Sequence, residues 1–270
     1  MRNHTMKKRE DIMNYKDTVI INNDCFITRF YYDSESNKMG ENLFKKFNLP
    51  KGIILHRNLA ERLYSLVPVL KQLKLKFLFT DVYRPVEMQQ FLYEHWKERT
   101  GEEPKFSLAN VEKAPHPRGI ACDCVLCDEE GNKLMLPSSS INYKSEERNP
   151  DYEFDETIPE EKEKKINRNL LRTFMVCSGI SPINKEWFHF QLPESDKYEP
   201  ISVEEAQCAK PFSYEESSRN YFFNIFHDYQ NDVFEGKTHF WINDERYFDQ
   251  FERIGLDSFI TKIKTNFDYE

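Results

Sequence analysis

Two short stretches carry the residue types that could do chemistry. One is Ala114-Pro115-His116-Pro117-Arg118-Gly119-Ile120-Ala121-Cys122-Asp123-Cys124. The other is Glu186-Trp187-Phe188-His189-Phe190. Together they offer two imidazoles, one carboxylate ligand and a further carboxylate near a histidine. That is the inventory of a catalytic zinc site: three protein ligands hold the ion and leave a fourth position for water. A nearby Glu can then carry protons to and from that water.

Strands must position these groups. Gly119 to Leu126 reads as a strand behind a glycine turn, with small and β-branched residues. Side chains alternate along it, so Ala121, Asp123 and Val125 face one way and Cys122, Cys124 and Leu126 the other. Asp123 could thus meet a metal held from the preceding turn by His116. Glu186 to Gln191 reads as a second strand. Glu186 and His189 are three apart, so a regular strand would set them on opposite faces. They can share a site only if Glu186 lies at the strand's entry or on a bend. Upstream, Lys74 to Thr80 alternates through Phe77-Leu78-Phe79 and delivers Asp81-Val82-Tyr83-Arg84-Pro85 at its end. The planar fork of Arg84 suits a carboxylate or a developing oxyanion.

In these residues the chain resembles the D-alanyl-D-alanine dipeptidases, the VanX-type zinc peptidases of the M15 family. The family pattern runs D-x-Y-R-P, then S-x-H-x-x-G-x-A-x-D, then E-W-x-H. The likeness covers roughly Asn22 to Leu192. It implies His116, Asp123 and His189 as ligands of one zinc ion per chain. It implies Glu186 as general base and Arg84 as electrostatic stabiliser of the transition state. Arg84, with Tyr83 beside it and Trp187 on the site wall, is the expected substrate-binding set. The implied reaction is hydrolysis of D-alanyl-D-alanine or a similar D-amino-acid dipeptide by a metal-activated water.

The pattern is not followed throughout. Ala114 stands where the family has Ser, so a hydroxyl near the substrate is missing. An Asp that binds the substrate's free amine has its counterpart at Ile141, beside Asn142. A desolvated ammonium needs a carboxylate or several good acceptors; Glu146, Glu147, Asp151 and Asp155 are the nearby substitutes. Two alternatives stay open. One is a zinc carboxypeptidase or endopeptidase acting on larger peptidoglycan peptides. The other is a non-catalytic zinc-binding interaction protein on the same fold.

The chain's 270 residues can bury a full core. Net charge is −8, and no Lys/Arg patch is interleaved with aromatics, which argues against a nucleic-acid partner. No apolar stretch reaches about 18 residues, so no membrane span is expected. Residues 1–17 are polar, read as a mobile leader without a signal peptide, and the expected compartment is the cytoplasm. Six cysteines in a chain this long do not make a disulfide framework. Cys122-x-Cys124-x-x-Cys127 also admits a metal reading, but the strand alternation turns Cys122 and Cys124 into the core.

Elsewhere, Thr18 to Ile21 reads as a strand. Asn58 caps a helix through Leu73 that Pro68 should kink. Pro85 opens another to about Lys97. Lys133 to Leu136 reads as a hairpin strand. The charged run from Lys144 to Lys165 reads as solvated, and Ile166 to Cys177 as a helix capped by Gly179. Residues 195–270 form an aromatic-rich extension with helical spacing, packed on the core or used for self-association or a partner. His227 and His239 within it read as packed or surface residues. The expected organisation is α+β: residues 18–194 as a dipeptidase-like domain, with a small antiparallel or mixed sheet carrying a zinc cleft, flanked by helices.

Overall fold

Five strands of the computed structural model make the platform on which the chemistry-bearing residues lie. The structure describes residues 17–101, 103–104, 108–138 and 145–216. The platform strands are β2 (Phe26–Thr28), β4 (Lys76–Asp81), β5 (Ala121–Cys127), β6 (Ser181–Ile183) and β7 (Glu186–Gln191), in the order β2-β4-β5-β7-β6. β2 runs parallel to β4, and every other neighbouring pair is antiparallel. Phe77, Leu78 and Phe79 are all buried, as are Cys122, Cys124 and Leu126. The central strands are covered on both faces.

A second sheet was not expected. It consists of β3 (Ile53–His56), β1 (Thr18–Ile21) and β8 (Lys210–Phe212), with β1 central, antiparallel to β3 and parallel to β8. The parallel partner comes from nearly two hundred residues downstream. Local periodicity holds no record of such a pairing. The two sheets touch where Gly119 meets the end of β3: the His56 amide donates to the Gly119 carbonyl at 2.8 Å. Gly119 sits at φ +64°, and a Cβ there would lie 2.8 Å from the His56 nitrogen. Both facts require glycine.

Helices cover the sheets. α1 (Leu43–Lys46) is a single turn. α2 (Arg57–Tyr64) packs on β1 and β3, and α3 (Val67–Leu73) follows after a two-residue break. The single kinked helix expected over this stretch is therefore two helices. Pro68 lies in the first turn of α3, where a missing N–H costs nothing. The cap of α2 is His56 rather than Asn58, its Nδ1 accepting from the Asn58 amide at 3.1 Å. α4 (Val86–Thr100) starts after Pro85 as expected and ends at Gly101. α5 (Pro159–Cys177) packs on β5, β6 and β7. It begins inside the charged run, with Glu160 and Glu161 in the first turn, where they favour the helix dipole. α6 (Val203–Gln207) carries a capping box from Ser202 to Glu205. Lys133 to Leu136 is not a strand; a lone bridge joins Cys127 to Lys133.

The architecture is α+β with mixed sheets. The first part of the expected extension is knitted into it: Ile201, Ala206 and Phe212 are buried in the core. The aromatic-rich remainder, with His227 and His239, lies outside the described residues, as do Ile141 and Asn142. Cys122, Cys124 and Cys127 are free, buried thiols. Burial above all pushes the Cys124 thiol up, which leaves it a packing group.

Candidate active site

Register brings the site together. Asp123 on β5 stands opposite His189 on β7 and opposite Asp81 on β4, so three acid or imidazole side chains line up across three strands. His116 reaches the same point from a 3₁₀ turn, His116–Arg118, closed by Gly119. The imidazole nitrogens and the carboxylate oxygen of His116, Asp123 and His189 lie within 4.8 Å of one another. His189 Nδ1 is 2.9 Å from Asp123 Oδ1, and His116 Nε2 is 3.5 Å from the same oxygen. Among the described residues no other group of three such side chains converges in this way.

The three-residue spacing of Glu186 and His189 is resolved by a break in register. Pro182 pairs with Phe190, but Ile183 pairs with Glu186, so β7 bulges between Glu186 and His189. Glu186 is also the strand's first residue. Its Oε2 comes to 3.7 Å from His189 Nδ1.

The donor set fits a divalent metal. His116 Nδ1 lies 2.6 Å from the Val82 carbonyl, which can only accept, so the proton sits there and Nε2 faces the site. His189 Nε2 lies 3.1 Å from Gln191 Oε1, which leaves Nδ1 facing Asp123. Each imidazole is thus oriented by an acceptor behind it, the arrangement that metal-binding histidines use. The 3.5 Å spacing is that of two ligands about 2.0–2.2 Å from a tetrahedral ion, and the 2.9 Å spacing is the shorter one of a direct hydrogen bond. Burial would raise the Asp123 carboxyl, but His116 and then His189 outweigh it and hold the group well below the usual carboxylate range. Burial opposes protonation of His189, yet the bond to Asp123 raises it. A cation binding here takes the place of that proton.

These groups line a cleft of about 190 Å³, with Tyr31, Tyr32, Gln89, Ala114, Arg148 and Lys185 among the other walls. That is room for a small ligand rather than a drug-sized one. Arg84 is in the wall and almost fully buried. Its Nε and Nη2 bind Asp81 Oδ2, at 3.1 and 2.5 Å, and Nη1 donates to Gln89 Oε1 at 2.6 Å. Burial opposes the charge, but Asp81 more than offsets it and keeps the guanidinium ionised.

Tyr83 and Trp187 are not in the cleft. Tyr83 points into the core, where its hydroxyl donates to the Ile201 carbonyl at 2.7 Å. Trp187 is buried beside the bulge and donates from Nε1 to the Ser138 carbonyl at 3.2 Å. Neither lies in regular strand pairing: Tyr83 follows the end of β4, and Trp187 falls within the bulge of β7. Glu146, Glu147, Asp151 and Asp155 are likewise absent from the lining.

Among the cleft residues that sequence reasoning missed, three touch the candidate machinery directly. Gln191 was findable, since it lies two after His189 and so shares its face. Gln89 carries no local signal. Arg148 was hidden in the charged run read as solvated, yet it is 7% exposed and its Nη2 is ion-paired to Glu186 Oε1.

The family model described as D-ala-D-ala dipeptidase matches residues 32–207, more than half of the chain. The chain belongs to this family of peptidases. It is also similar to the D-alanyl-D-alanine dipeptidase of Escherichia coli (strain K12). The two are 26% identical over 155 residues, which is 57% of this chain and 74% of the relative. The family match spans all of β4, β5 and β7 and ends at the last residue of α6. The family match therefore contains every residue of the His/Asp/His group and both arginines of the cleft. Among the described residues no helix is long and apolar enough to cross a membrane.

Proposed function

We propose that this peptidase hydrolyses D-alanyl-D-alanine or a similar D-amino-acid dipeptide with one zinc ion held by His116, Asp123 and His189. The observation that carries this reading is the convergence of those three side chains beside Glu186 in a small cleft. A zinc ion there would supply Lewis acidity to a water and to the scissile carbonyl. Glu186 takes a proton from the attacking water through Oε2 and returns it to the leaving amine. Arg84, fixed by Asp81 and Gln89, presents preorganised positive charge to the oxyanion as it develops, worth about 3–4 kcal/mol for a well-placed donor. The family likeness supports the same assignment of roles.

The test combines assay and metal content. Glu186→Ala should keep its zinc and lose activity by orders of magnitude, whereas His116→Ala should lose the zinc itself. A fully active Glu186→Ala enzyme would reject the assignment.

One observation favours a second substrate class. Among the described residues every carboxylate lining the cleft is already committed: Asp81 to Arg84, Asp123 to the imidazoles and Glu186 to Arg148. A free substrate ammonium would find none to spare. A zinc carboxypeptidase or endopeptidase acting on longer or N-blocked peptidoglycan peptides would not need one. Comparing D-Ala-D-Ala with N-acetyl-D-Ala-D-Ala separates the two, since a strict free-amine requirement removes the second.

A further inference from the structure

We propose that Arg148 is the positioning residue of Glu186, and that Trp187, Ser138 and Glu147 are the struts that hold it in place. The proposal rests on Glu186 acting as general base. A carboxylate that shuttles protons must keep one oxygen aimed at the reacting water. The two oxygens of Glu186 are divided: Oε1 is taken by Arg148 Nη2, and Oε2 faces His189 Nδ1 at 3.7 Å. With Oε1 anchored, rotation of the carboxylate away from the metal ligands is blocked.

The anchor is itself fastened, through a closed ring of contacts. Arg148 ends a 3₁₀ turn, Glu146–Arg148. The preceding Glu147 accepts from the Ser138 amide at 2.7 Å through Oε2 and pairs with Lys164 of α5 at 2.9 Å through Oε1. The Ser138 carbonyl in turn accepts from Trp187 Nε1 at 3.2 Å, and Trp187 follows Glu186 in the chain. The base and its anchor are thus tied to each other twice, once by the ion pair and once through the backbone of residue 138. The guanidinium also lies 6.0 Å over the Phe188 ring, which limits its swing.

Assayed on the zinc-loaded full chain with D-Ala-D-Ala or its N-acetyl form, Arg148→Ala should lower kcat about a hundredfold, the cost of a loosened catalytic group. KM should stay within about twofold and zinc content should be unchanged, because losing an interaction that acts only in the transition state lowers kcat and kcat/KM equally. Guanidinium ion added to the variant should restore part of the loss. In a Glu186→Gln background the same change should cost nothing further. Unchanged kcat, a loss carried wholly in KM, or an equal loss in both backgrounds would each overturn the proposal. Should Arg148→Ala fail to fold, Trp187→Phe removes one strut while keeping an aromatic ring in the core and should lower kcat at constant KM; wild-type kcat there counts against the clamp. A double-mutant cycle of Arg148→Ala and Glu186→Gln on the unfolding midpoint needs no turnover. Non-additivity supports the pair and additivity overturns it, even if the wild-type chain hydrolyses no peptide and the hydrolase reading fails by itself.

Discussion

Gln191 and His56 show how single side chains act here through what they hold. Gln191 carries no charge and touches no candidate ligand oxygen, yet its amide oxygen accepts from His189 Nε2 and so decides which nitrogen faces the site. Gln191→Leu should weaken zinc binding about 10–100-fold, the usual cost of losing such a partner, as read by competition with a metal buffer. His56 is buried under Tyr198, and burial brings its imidazole down to about 4 despite the pull of Asp17. The unfolded ring titrates near 6.5, so between pH 6.5 and 4 the unfolded chain binds more protons and stability falls as the pH drops. The group should contribute up to about 3 kcal/mol above that window, lost progressively through it. His56→Asn keeps a capping acceptor for α2 and should flatten the fall of the thermal midpoint across those pH values.

At the scale of elements, one turn and one bulge decide the geometry. The turn is His116–Arg118 with Gly119. Its left-handed glycine lets β5 start against the His56 amide, and its first residue presents an imidazole to β5 and β7. Gly119→Ala combines strain at positive φ with a 2.8 Å clash against backbone. It should destabilise the fold by about 1–3 kcal/mol in chemical denaturation, with weaker zinc binding because His116 moves with the turn. The bulge is in β7. Strand alternation alone sets Glu186 and His189 apart, and the three-residue slip against β6 brings them together. The motif E-W-x-H could be read in the chain as a set of residue types. That it requires a bend was a deduction from spacing; where the bend comes from is visible only in the pairing of β6 with β7.

Across the whole molecule, a metal held by His116, Asp123 and His189 would tie together segments that the two sheets only bring near. His116 lies three residues before Gly119, where the sheets touch, Asp123 is in the middle of one sheet, and His189 follows α5 in the chain. Zinc at a hundred times its dissociation constant should add about 2.7 kcal/mol to unfolding, and a chelator should remove it, as a shift in thermal midpoint followed against zinc concentration. Asp123→Asn should blunt that shift while leaving β5 paired.

The types of the candidate metal-binding side chains, the proposed proton carrier, the arginine and the strands beneath them were all present in local pattern. Local pattern is where residue chemistry and the two-residue period of a strand are written. The second sheet, the inward turn of Tyr83 and Trp187, and the arrival of Arg148 at Glu186 depend on which distant segments pair. Pairing is settled by the burial and hydrogen bonding of the whole chain at once, and no window of sequence holds that sum.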